Sequence, residues 1–134
     1  LESSGNWGAV RMLPRESDFP KYGEDYYDSY CKFFIYGNSK ERMPDHVKIF
    51  NKVGLAYGFL LDNAYIVDFE NKIEFFLSAV VYSNSNGVLN DDSYDYDTLT
   101  IPVLADVGRA IYEYELQRDR EFDPDLSHLN KIDS

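Results

Sequence analysis

The sequence predicts an α+β fold: an antiparallel sheet of about three strands, a C-terminal helix packed on it, and an N-terminal aromatic helix. Three observations carry this. Residues 47–54 alternate Val47, Ile49 and Val53 with Lys48 and Lys52, the period of a strand. Two apolar runs, 59–69 and 73–82, are separated only by Glu70-Asn71-Lys72, the arrangement of a hairpin. Thr100 then precedes Pro102 and apolar residues at helical spacing, the start signal of an amphipathic helix.

Each element follows from its neighbours. Residues 1–24 carry Pro14 and Pro20 among Gly and Ser, and read as irregular chain with scattered apolar residues: Trp7, Val10, Met12, Leu13 and Phe19. In residues 25–36, Tyr26, Tyr30, Phe33 and Phe34 recur at helical spacing, with Tyr27 widening the face and Gly37-Asn38 as the stop. Gly54 and Gly58 bracket a place where backbone bends or approaches a neighbour. The nearly continuous apolar run 73–82 predicts a strand buried on both faces. Residues 83–97 form a polar loop. The buried stripe of the helix is expected at Ile101, Leu104, Ala105, Gly108, Ile111 and Tyr112, with Gly108 marking close approach to the sheet. The tail beyond Arg120 is polar and is expected to fray. The organisation is thus 1–46, irregular segment plus helix; 47–120, sheet and closing helix; 121–134, polar tail.

Composition excludes several function classes. The 134 residues carry a formal net charge of −11, which repels nucleic acid and anionic membrane surfaces. Hydrophobic residues at 44% and aromatics at 16% argue for a folded core rather than disorder. Cys31 is the only cysteine, so no internal disulfide forms. No apolar run approaches the roughly 20 residues of a membrane span. The chain starts at Leu1 without a visible signal peptide, and is read as a processed or excised piece.

The chemistry-bearing residues cluster around Lys52-Val53-Gly54. A lysine two residues before a glycine at a strand edge brings a positive field and lets a substrate lie flat on the backbone. The N–H of Leu55 follows as a candidate oxyanion donor. With Tyr57-Gly58, Asp62, the hairpin and the closing helix behind it, this stretch resembles the Lys-Thr-Gly strand and C-terminal segment of class A β-lactamases and penicillin-binding serine hydrolases. The resemblance covers about residues 47–118. It implies a partial β-lactamase/transpeptidase-like fold, with residues 1–46 as the end of a helical subdomain. It implies acyl transfer to serine followed by hydrolysis in the intact parent, with Lys52, Gly54 and the Leu55 N–H as catalytic groups. Val53 and Tyr57 would meet a substrate that is a small molecule or a peptide- or glycopeptide-like one. Export to the periplasm or cell surface is implied as well. Val53 departs from the family's Thr or Ser and has no hydroxyl for a substrate carboxylate.

Other signatures are weak or missing. Ser29-Tyr30-Cys31-Lys32 matches Ser-x-x-Lys literally, but it lies inside the aromatic helix and only a short loop before Lys52, and reads as chance. Ser17-Asp18-Phe19 shares two residues with Ser-Asp-Asn. No nucleophile is assigned, and the chain alone is expected to be inactive. Asp91, Asp92, Asp95 and Asp97 lack EF-hand spacing and read as a solvated loop. His46 and His128 lack partners at zinc-ligand spacing, Cys31 reads as a small core residue, and no metal or cofactor is implied. Tyr22, Tyr26, Tyr27, Tyr30, Tyr36, Tyr94 and Tyr96 read as rim packing rather than a groove for carbohydrate or peptide. Two other functions stay open: a binding module without turnover on the same scaffold, and an unrelated acidic α+β interaction domain. A sheet of this size exposes an edge and an apolar face. Association is therefore expected, as a homodimer or with the missing N-terminal portion of the parent.

Overall fold

A computed structural model describes residues 29–131. Three ten-residue strands, β1 (Val47–Ala56), β2 (Phe59–Asp68) and β3 (Ile73–Tyr82), form one antiparallel sheet in the order β1-β2-β3. Helix α1 (Ile101–Gln117) closes one face. The α+β class and its antiparallel sheet are as the sequence predicts.

The hairpins are made by local chemistry. β1 and β2 join through Tyr57 and Gly58, whose φ angles of 51° and 89° are those of a tight type I′ connection. A side chain on Gly58 would sit 2.7 Å from the Ser83 carbonyl oxygen. The Gly58 N–H donates to the Tyr96 hydroxyl at 2.9 Å, which ties the hairpin tip to the approach of α1. At the other end, the Asp68 carboxylate accepts the backbone N–H groups of Glu70 and Asn71, both at 2.9 Å, and so folds the β2–β3 turn.

Pairing register sorts the side chains. Val47, Ile49, Leu60, Ala64 and Ile66 point with Phe75, Leu77, Ala79 and Val81 toward the α1 side, where they pack with Phe33, Phe34, Ile35, Met43 and Leu104. The opposite face carries Phe50 and Val67, covered by Leu126 and Leu129 of the C-terminal stretch.

Four expectations are corrected. Residues 29–36 are a succession of turns rather than a helix, with Cys31 and Ile35 at φ 56° and 68°; residues 25–28 of the expected helix lie outside the described residues, as do residues 1–24. A helix would have closed its own hydrogen bonds, but the N–H of Phe33 donates instead to the Asp62 carboxylate at 3.0 Å. Strand β3 is buried on one face only, and Phe76, Val80 and Tyr82 stand exposed. Gly108 approaches the 29–36 turns and not the sheet: a Cβ there would lie 2.4 Å from the Ile35 nitrogen. Finally, the described part of the tail does not fray. Leu126 and Leu129 are buried on the sheet, and 127–131 form a short 3-10 turn; residues 132–134 lie outside the described residues.

The helix start also differs in detail. Thr100 makes no side-chain cap; its hydroxyl donates back to the carbonyl of Tyr96 at 3.1 Å, because a π-turn over Tyr96–Thr100 runs directly into α1. Ile111 is exposed, while Glu115 is buried one turn later and is held by Arg118 at 2.8 Å.

The packed tail gives a direct expectation. Leu126→Ala should lower the urea unfolding free energy by about 2 kcal/mol, the low end for a buried leucine at a core margin. Val88→Ala, at an exposed loop position, should change it by less than about 0.5 kcal/mol. Equal losses for both variants would show that the tail contributes no packing.

Candidate functional site

Two-residue alternation and the antiparallel register arrange the face opposite α1 into cross-strand rows: Lys48, Val67, Glu74; Phe50, Tyr65, Phe76; Lys52, Asn63, Ser78; Gly54, Leu61, Val80; Ala56, Phe59, Tyr82. The second row is an aromatic ladder. Phe50 and Tyr65 stack with centroids 6.1 Å apart, and Tyr65 and Phe76 stack at 4.7 Å with planes 24° apart. The last row adds a Phe59–Tyr82 contact at 4.6 Å.

Lys52 and Gly54 are brought together on this face, on an outer strand of the sheet. The Lys52 side chain is exposed and its Nζ donates to the Val53 carbonyl at 2.6 Å. Gly54 lies under Leu61, whose side chain would be 3.2 Å from an added Cβ. Val53 is on the other side, half-buried against the core. Leu55 and Tyr57 are exposed at the hairpin tip, with Tyr57 inside the tight turn.

The serines sort clearly. Ser78 shares a row with Lys52 but is two strands away, roughly 10 Å, beyond direct proton transfer. Ser29, in the literal Ser-x-x-Lys, is buried, and its hydroxyl donates to the Ser39 carbonyl at 2.5 Å. Among the described residues, no group of three or more His, Cys, Asp or Glu side chains is placed to hold a metal ion. No described helix is long and apolar enough to cross a membrane.

Two buried carboxyls lie on the α1 side. Asp62 is wholly buried and accepts from Asn51 Nδ2 at 3.0 Å as well as from Phe33. Burial outweighs these bonds and pushes its pKa up to about 6. Asp68 is equally buried and accepts from the Asn71 amide at 2.7 Å and from the Tyr112 hydroxyl of α1. Burial alone would raise it, but these donors and the turn N–H groups together hold it below the usual carboxylate range. The Tyr112 hydroxyl is pushed up by burial and by the Asp68 carboxylate. Asp68 therefore fastens α1 to the β2–β3 turn.

Sequence reasoning did not single out Glu74 or Phe76, and weighed His128 only as a zinc ligand; the fold places all three around one cleft with Tyr65 and Phe75. Glu74 and Phe76 could have been found from the i, i+2 spacing within 73–82. His128 could not, because its position depends on the tail folding back. Compared with known proteins, the chain matches no family model, no curated protein and no solved structure.

Proposed function

We propose that this chain is part of a serine hydrolase resembling the class A β-lactamases, and supplies the Lys-x-Gly wall of its active site. The observation that supports the reading is that Lys52 and Gly54 share the sheet face opposite α1 on an outer strand. A substrate carbonyl lying along the outer edge of β1 would meet a cation at Lys52, beside Gly54 with Leu61 over it. The nucleophilic serine would come from residues outside 29–131. Its Oγ would bond to the substrate carbonyl carbon while the leaving group departs with a proton, and water would then cleave the resulting ester. Val53, expected to meet the substrate, faces the core on the other side of the sheet, so Lys52 and Gly54 would line the wall without it. Export to the periplasm or cell surface belongs to the same proposal.

A second reading, a binding module without turnover, draws on the exposed apolar side chains Phe59, Phe76, Val80 and Tyr82 of the same face. One experiment separates the two. The full-length gene product carrying this segment is treated with a fluorophosphonate probe. Covalent labelling that falls on the order of 100-fold in Lys52→Ala is the expected result. Absence of labelling, or labelling indifferent to Lys52, would overturn the hydrolase and leave the binding module.

A further inference from the structure

We propose that the cleft between Phe76 and the C-terminal turn binds the guanidinium group of an arginine side chain presented by a partner polypeptide. The proposal is independent of the hydrolase reading, because it uses neither Lys52 nor any serine.

The cleft is lined by Tyr65, Glu74, Phe75, Phe76 and His128 and has a volume of about 460 Å³, within the usual range of ligand pockets. The Phe75 side chain points to the α1 side, so the groups that meet a ligand are Phe76, Glu74, Tyr65 and His128. The Phe76 side chain is 82% exposed, yet its ring is oriented by stacking on Tyr65, so it presents a steady π surface rather than a free rotor. Arginine stacks on such a surface better than lysine, since the guanidinium is planar and weakly hydrated. Glu74 lies two residues earlier on the same face. The Tyr65 hydroxyl donates to its Oε2, which holds the carboxylate in place and leaves Oε1 for a donor-rich ligand. Burial and the adjacent Glu74 push the Tyr65 pKa up, so the hydroxyl keeps the proton it donates.

His128 completes the set. Its Nδ1 is 3.0 Å from the Asp125 carbonyl oxygen. A carbonyl only accepts, so Nδ1 carries a proton and donates to it, which holds the imidazole ring at the edge of the cleft. The cleft thus offers a carboxylate oxygen, an aromatic face and an imidazole ring held in place.

The surroundings agree. The chain carries a net charge of −11, which draws cations to it. Two basic side chains, Lys72 of the β2–β3 turn and Arg120 after α1, are engaged elsewhere. Lys72 pairs with Asp123 at 2.8 Å, and Arg120 donates to the carbonyls of Lys72 and Asn71.

The test titrates the full ¹⁵N-labelled chain with Nα-acetyl-arginine amide, and separately with the uncharged isostere Nα-acetyl-citrulline amide. Saturable shifts centred on residues 65, 74, 76 and 128 are expected for arginine, with affinity at least about 5-fold weaker for citrulline. Phe76→Ala and Glu74→Gln should each weaken arginine binding about 5-fold, while Asp91→Asn, in the acidic loop, should leave it unchanged. Amide spectra report folding of each variant directly. Equal binding of citrulline, shifts spread over residues 91–97 instead of the cleft, indifference to both cleft variants, or no saturation would each overturn the proposal.

Discussion

Gly108→Val should destabilise the protein by about 3 kcal/mol or more and lower the melting temperature on the order of 10 °C. The reason is a backbone contact. A Cβ at 108 would lie 2.4 Å from the Ile35 nitrogen and 2.8 Å from Phe34 Cβ, closer than real Cβ contacts come. Neither neighbour can swing aside. Phe34 is wholly buried, and Ile35 is held by its carbonyl accepting from Arg109 Nη1 at 2.5 Å, one residue along the helix from Gly108. The helix must therefore lift away from the 29–36 turns, opening the cluster that includes Phe33, Phe34 and Leu104. Calorimetry checks this. A Gly108→Val protein as stable as the parent would show that the close approach is not part of the folded state. Gly108→Ala should fall between the two, since it adds the same first atom without the branches.

The second expected result is a stability curve with two limbs of opposite sign. The Asp62 pKa is raised to about 6 from an unfolded value near 3.9. A raised carboxyl binds its proton more tightly in the folded state, so its contribution is present below about pH 4 and is lost as pH climbs through 6. Stability should therefore rise as pH falls from about 7, by about 1.3 kcal/mol at pH 5 and by up to about 3 kcal/mol from this group once pH is below about 4. Asp68 acts in reverse. Its lowered pKa contributes stability above about pH 4, lost as pH falls further, when protonation breaks its acceptance from the turn N–H groups, Asn71 and Tyr112. Denaturant unfolding at a series of pH values should show a maximum near pH 4–5. Asp62→Asn should flatten the limb above pH 5, because the amide cannot ionise. Asp68→Ala should cost about 3 kcal/mol at pH 7, since several buried donors lose their acceptor, and should flatten the limb below pH 4. A limb above pH 5 that survives Asp62→Asn would assign it to general charge repulsion in this acidic chain.

These residues also show which parts of the architecture are readable in the chain. Strands β1, β2 and β3 are legible because two-residue alternation and the short Glu70-Asn71-Lys72 turn are local properties. The start of α1 near Pro102 is legible for the same reason. The stretch before Gly37 is not. Its aromatic spacing fits a helix, but Asp62 and Asn51, far along the chain, capture the Phe33 N–H and the Cys31 carbonyl that a helix would have used. The exposed side of β3 was equally hidden: an apolar run looks the same whether one face or both are covered. Of the candidate site, Lys52 and Gly54 on one face follow from period two alone. Val53 on the opposite face follows from the same rule.

The amino-acid order alone thus settles the class, the three strands and the shared side of Lys52 and Gly54, all of which depend on neighbours within a few residues. Tertiary packing decides the rest. It unwinds 29–36 against Asp62, seats Leu126 and Leu129 on Phe50 and Val67, and brings His128 to Glu74 and Phe76. The physical reason is one of range. Periodicity records which side of an element is apolar, whereas the partner of that side is chosen by contacts between segments whose separation in sequence carries no pattern.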